Sequence, residues 1–257
     1  MMETLAAGCL FVAMLVSMDI GYRIGHRRKA SDPQTSIEVI GTVDAAVFGL
    51  LGLILAFTFS GASDRFVVRR AQVVQEANAI GTAYLRIDVL PPSDQPLIRE
   101  LFRAYLDTRV EVFDKFEDRA ASNAALGKSE QLQHEIWSRS VIACRSDPKP
   151  DACLLMLPAL NEMIDITTTR TMATRTHAPL VILVLLVLLS LAGAMLSGYA
   201  MSRQSSRSIV HMLLFSLVVA ASVYVVLDLE YPRAGIINLR SMDQALYELR
   251  GIMKQAN

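Results

Sequence analysis

Residues 178–201, APLVILVLLVLLSLAGAMLSGYAM, carry no charged side chain. Wound as a helix at about 1.5 Å per residue, they cross a hydrocarbon layer of about 30 Å. Residues 209–227, IVHMLLFSLVVAASVYVVL, follow after a short loop and are equally free of charge. Two earlier stretches share this character less strongly. One covers roughly 4–22; the other covers 41–62 and holds one acidic residue, Asp44, near its start. Four such segments make this a membrane chain. Its function is expected among those open to a four-helix membrane protein: to conduct, transport, sense, anchor or hold a partner.

Composition agrees. Apolar residues make up 53% of the chain and charged residues 19%, which suits a protein partly in lipid and partly in water. The formal net charge is zero, with no basic block and no RNA-binding motif, so nucleic acid is not an expected partner. The first apolar stretch is preceded only by Glu3 and followed by Arg23, Arg27, Arg28 and Lys29. That order favours an uncleaved helix over a signal peptide.

The segment between the second and third spans is expected to be helical and soluble in character. Ser63 can cap a helix from about Asp64 to Leu90, and Pro91-Pro92 stops it. Ile98, Leu101, Phe102, Tyr105, Leu106, Val110 and Phe113 recur at helical spacing. A third helix includes Leu132, Ile136, Trp137 and Val141. A fourth runs from about Leu154 toward Arg175, with Pro158 in its first turns. No useful strand alternation occurs, so the expected fold class is all-α. The expected division is 1–62 for spans one and two, 63–177 for a helical extramembrane domain and 178–228 for spans three and four. Residues 229–257 form a C-terminal helical segment that packs on the extramembrane domain.

Topology follows from charge. Arg23, Arg27, Arg28 and Lys29 follow span one, and Arg203 and Arg207 lie between spans three and four. Both loops share one face of a four-span model, and the positive-inside rule makes that face cytoplasmic. The extramembrane domain and both termini are then outside the cytoplasm. Cys144 and Cys153 flank a loop containing Pro148 and Pro150, and an oxidising compartment allows a disulfide between them. The competing reading is two unrelated buried thiols.

Span two has a narrow stripe of small residues. Gly41, Ala45, Gly49, Gly52, Ala56 and Ser60 are spaced four, four, three, four and four apart. Small stripes let membrane helices approach closely. One reading is tight packing inside a protomer. The other has neighbouring copies packed through the stripe around a pore. A different face, Asp44, Phe48, Leu51, Leu55 and Thr58, then lines the conduit, with apolar rings that gate by dewetting. Polar residues at the membrane boundary form a second candidate set: Arg69, Arg70, Glu76, Asn78, Arg86, Asp228, Glu230 and Arg233. Arg69 or Arg70 is expected to pair with Asp228 or Glu230. That set is either a structural ion-pair network or a site for a substrate or ion.

Enzyme signals are weak. His134-Glu135 lacks the second histidine of a zincin helix, and no GxSxG or phosphate-binding glycine loop occurs. No catalytic residue, metal or cofactor is expected. The stretch GLLGLILAFTFSGASDRFVVRRAQVVQEANAIGTAYLRIDVLP, residues 49–91, resembles a family of bacterial membrane proteins called bestrophin-like. VLDLEYPRAG, residues 226–235, carries a second match, and the order of spans and inserted domain agrees. The family is distantly similar to the bestrophin anion channels. The resemblance implies a homo-oligomeric ion channel in the lipid bilayer, with a pentamer as the candidate ring and span two around the axis. The alternative is a non-conducting envelope sensor or scaffold that binds a partner through its extramembrane helices.

Overall fold

A computed structural model describes residues 2–31, 37–116, 118–146, 151–203, 208–232, 236–237 and 240–255. Its helices are α1 (Met2–Ser31), α2 (Ile37–Leu85), α3 (Gln95–Asp114), α4 (Arg119–Ser146), α5 (Asp151–Arg175), α6 (Leu180–Met201), α7 (Ile209–Glu230) and α8 (Arg240–Gln255). A 3-10 turn, Arg86–Val89, follows α2. The described residues contain no strand. Four helices are long and apolar enough to cross a membrane, and they hold the four apolar segments. The all-α, four-span expectation is met.

Ser63 does not start a new helix, because α2 runs through it without a break for 49 residues. Neither proline nor a helix-breaking glycine cluster interrupts 41–85, so nothing in the backbone stops propagation. The chain ends that run at Leu85, tightens into the 3-10 turn and meets Pro91-Pro92.

The chain forms two compact units, each assembled from two stretches: Met1–Phe66 with His177–Asn238, and Val67–Thr176 with Leu239–Asn257. In the first unit, Met14 and Met18 of α1 are fully buried with Leu186 and Ala194 of α6 and Val219 and Val223 of α7. Backbones of α1 and α6 touch. A Cβ added to Gly21 would stand 2.0 Å from Met195 O, and one added to Gly198 would stand 2.0 Å from Met18 O. Ser17 Oγ donates to Leu191 O at 2.9 Å in the same seam. Small residues at four-residue spacing, Ser17, Gly21 and Gly25 on α1 and Ala194 and Gly198 on α6, permit this approach. The sequence reading overlooked this small-residue motif.

The second unit closes around Ile80, Ala83 and Tyr84 of α2, Ile98, Phe102, Tyr105 and Leu106 of α3, Ile136 of α4 and Met156, Leu160 and Met163 of α5. Leu246 and Met253 of α8 complete that core. Arg103 Nε donates to Met253 O at 2.9 Å near the end of α8. The Tyr247 hydroxyl donates to Asp114, which helps hold the phenol up at about 12. Pro158 lies inside α5 and not in its first turn, so its missing N–H breaks the ladder there. Arg86 Nη1 donates to the Leu155 carbonyl beside the break at 2.6 Å.

Cys144 is buried in α4, and Cys153 is half-buried near the start of α5. Both pack against the same apolar core. The expected bond between them is not formed: they enter that core as thiols. Residues 147–150 of their loop lie outside the described residues.

Candidate functional site

The membrane part of α2 has an inner face that packs in its own protomer and an outer face that the protomer leaves open. Leu51 and Thr58 are 5% and 6% exposed. Phe48 and Leu55 are half-buried beside them, and so is Asp44. Phe48 meets Phe215 of α7 edge to face at 5.7 Å and leans on Gly193 of α6, where an added Cβ would stand 3.1 Å from its ring. Thr58 turns its hydroxyl back to Ile54 O at 2.6 Å. The face proposed to line a conduit is therefore the face by which α2 packs inside its own protomer.

The small stripe lies on the other side. Gly41, Ala45, Gly49, Gly52, Ala56 and Ser60 are all exposed. A Cβ added at Gly41, Gly49 or Gly52 meets nothing within 4 Å. Tight packing of the stripe inside one protomer is thus corrected. Beside the stripe stand Leu50, Leu53 and Phe57, at 45%, 51% and 67% exposure. Helical periodicity separates the faces in a sequence, but it does not say which one meets the rest of the chain.

Charged groups of the first unit converge on Glu230, at the end of α7 and 1% exposed. Arg65 on α2 donates to its Oε2 from Nε at 3.0 Å and from Nη2 at 2.7 Å. The Ala178 N–H donates to its Oε1 at 2.7 Å, and His177 Nδ1 lies 3.4 Å away. The His177 ring stacks on Tyr231 at 4.6 Å. The expected partners Arg69 and Arg70 are not used. Arg69 is buried and donates to Ala173 O at 3.1 Å and Thr176 O at 2.6 Å, satisfying carbonyls at the end of α5. Arg70 is exposed. Asp228 is buried and accepts from the Ile237 N–H at 2.9 Å. Arg233 lies outside the described residues.

The second unit buries a charge network. Glu76 on α2 and Arg109 on α3 are both 0% exposed. Arg109 Nε donates to Glu76 Oε1 at 2.6 Å, and Arg170 of α5 donates through Nη1 to Glu76 Oε2. Arg170 also donates through Nη2 to Asp243 of α8 at 2.8 Å. Its guanidinium lies over the Phe113 ring at 3.6 Å. Burial pushes Arg109 down, but the Glu76 carboxylate outweighs it and holds the guanidinium above its usual range. Beneath the network, the Tyr105 hydroxyl pairs with Thr167 Oγ1 at 2.8 Å and accepts from Gln133 at 3.1 Å. Burial drives the Tyr105 phenol up.

Of the polar candidates, only Glu76 belongs to this network. Arg109, Arg170 and Asp243 were missed. Arg109 does give a signal: it stands four residues from both Tyr105 and Phe113, in the middle of an apolar stripe. Asn78 is exposed in a groove of about 670 Å³ lined also by Gln75, Asn161, Glu162, Asp165 and Thr169. Arg86 serves the break in α5. The arrangement fixes helices; it presents no nucleophile with a base. No group of three metal-ligating side chains occurs among the described residues.

Comparison with known proteins supplies the remaining finding. A family model described as Bestrophin-like domain matches residues 8–242. No curated protein matches the chain. A crystal structure of a bacterial bestrophin homologue from Klebsiella pneumoniae is similar, with a TM-score of 0.65 at 14% identity. That match covers 94% of this chain and 97% of the other. A point-mutated form of the Klebsiella protein gives 0.65 at 14% identity, covering 96% and 98%. Another mutated form gives 0.56 at 12%, covering 95% and 97%.

Proposed function

Because this chain belongs to the bestrophin-like family, we propose that it is a homo-oligomeric ion channel of the bacterial inner membrane, with the outer face of α2 toward the axis. One observation carries the reading: α2 leaves its small stripe and Leu50, Leu53 and Phe57 uncovered by the rest of its own chain. Small residues let copies approach, and the large apolar ones beside them narrow the path. A pentamer is the ring that the family likeness favours. The apolar barrier then moves from the inner face to Leu53 and Phe57.

Reconstituted liposomes test it. Leu53→Ser is expected to wet the constriction and raise ion flux about tenfold, the effect of lowering a barrier by about 1.4 kcal/mol. Leu55→Ser, on the inner face, is expected to weaken the protomer without that gain. An assembled protein with no flux in either wild type or Leu53→Ser sinks the channel and favours a scaffold.

Topology is part of the proposal. The basic loops stand in the cytoplasm, and residues 64–177 stand in the periplasm. A cysteine engineered at Gly127, a half-buried position on α4, is expected to react with an impermeant thiol reagent in intact cells. Protection at that site, with labelling of a cysteine placed at Ser31, reverses the orientation.

A further inference from the structure

At the basic end of the first unit, α1 and α6 bring two guanidiniums to one phenol. Arg28 of α1 donates to the Tyr199 hydroxyl. Arg203, just past the end of α6, donates to the same oxygen and lies over the ring at 5.8 Å. The close seam between the two helices holds the group in place. A Cβ added to Gly25 would stand 2.9 Å from Tyr199 O. Ser202 is buried in that seam, and its hydroxyl donates to Tyr199 O at 2.7 Å.

Where two arginines meet in the second unit, they meet at an anion: Arg109 and Arg170 share Glu76. Arg28 and Arg203 share a neutral oxygen instead. Each guanidinium has five N–H donors, and one phenol oxygen cannot accept them all. Asp44 of α2 offsets part of the Arg203 charge. By sequence, 23–29 and 203–207 hold six basic side chains against four acidic ones in 19–44, so this end stays positive. Arg28 is exposed and Arg203 is half-buried. Ile24 and Ile20, one and two turns before Arg28, are 44% and 47% exposed. They form an apolar track from the arginines into the depth of the span.

We propose that Arg28, Tyr199 and Arg203 form a binding site for the headgroup of an anionic phospholipid. The phosphodiester sits between the two guanidiniums, and an acyl chain lies along Ile24 and Ile20. A guanidinium matches a phosphodiester in shape and charge, two N–H groups to two oxygens. The phosphate brings the negative charge that the phenol lacks. Tyrosine suits the boundary of the lipid, where its ring is in an apolar layer and its hydroxyl meets polar groups. Basic pockets between membrane helices take up anionic headgroups on the cytoplasmic side, where the basic loops place this end. A free phosphate ion has no chain to cover the apolar track, so the lipid is the favoured source. The site is independent of the channel reading, because none of its residues belongs to the outer face of α2.

The purified full-length protein is delipidated in detergent and melted with dioleoylphosphatidylglycerol, with dioleoylphosphatidylcholine or with sodium phosphate. Phosphatidylglycerol is expected to raise the melting temperature by about 3 °C, and the other two are expected to leave it unchanged. Arg28→Gln and Arg203→Gln are each expected to remove most of the increment. Arg27→Gln, an exposed neighbour on the same helix, is expected to keep it. Should Arg28→Gln fail to fold, Arg28→Lys keeps the charge without the planar fork and is expected to lose part of the increment. Native mass spectrometry is expected to find phosphatidylglycerol retained by wild type and lost from the Arg28 and Arg203 variants. An equal increment with phosphatidylcholine overturns the proposal. The same increment with sodium phosphate makes the site one for the free ion and overturns the lipid. Equal loss in Arg27→Gln shows diffuse surface charge in place of a built site. A full increment and full retention in Arg203→Gln put the lipid elsewhere, which overturns the assignment.

Discussion

Glu76→Ala is expected to unfold the second unit. The carboxylate is fully buried and takes one hydrogen bond from Arg109 and another from Arg170. Its removal leaves two guanidiniums in the interior, with Asp243 bonded to Arg170 and no carboxylate bonded to Arg109 among the described residues. Breaking a buried ion pair by deleting one partner costs about 3–5 kcal/mol, which is a large fraction of the stability of an ordinary domain. Expression and thermal unfolding in detergent report the loss. Glu76→Gln keeps shape and an acceptor but not the charge, and is expected to fall between the two. A Glu76→Ala protein that melts like wild type removes the network from the account of stability.

Gly198→Leu is expected to separate α1 from α6. Even a methyl group at that position would stand 2.0 Å from the Met18 carbonyl oxygen, a backbone atom that cannot swing aside. The helices have to part along their length, which loses the Ser17–Leu191 hydrogen bond and the burial of Met14 and Met18. Overpacking a rigid core costs about 1–3 kcal/mol, and a clash with backbone lies at or above the top of that range. Gly21→Leu is expected to behave alike from the other side of the seam. Gly49→Leu is the contrast, because its protomer leaves that position open. Its effect belongs to assembly, read by size-exclusion chromatography, and not to the fold of one chain. A stable, well-expressed Gly198→Leu protein contradicts the close seam.

The sequence showed the spans because lipid imposes a simple rule on long segments: residues 178–201 and 209–227 admit no charge. It did not show which side of α2 faced inward. Both faces are apolar or small, and a membrane helix lacks the polar outer surface that orients a soluble one. The glycines that seal α1 to α6 stand in the sequence as Gly21 and Gly25, four apart, a shorter pattern than the stripe on α2. The charge network was hidden for a different reason. A buried arginine has the same letter as a solvated one; the apolar neighbours of Arg109 mark it apart, whereas Arg170 stands among Thr167, Thr168, Thr169 and Thr171. Glu230 was found, yet its partner is Arg65, one turn before the expected Arg69.

The second unit needs a stretch of chain that lies beyond α6 and α7 in sequence. Synthesis delivers residues in order, and domains generally fold as they become complete. Leu246, Met253 and Asp243 therefore reach the core only after the last two apolar helices have been made. Until then Arg170 has Glu76 but not Asp243, and the surface that α8 will cover on α3 stays open. Biogenesis of this protein thus has a built-in order: α6 and α7 are made before the second unit can close, and a ribosome stalled between α7 and α8 leaves an unfinished core for quality control to recognise.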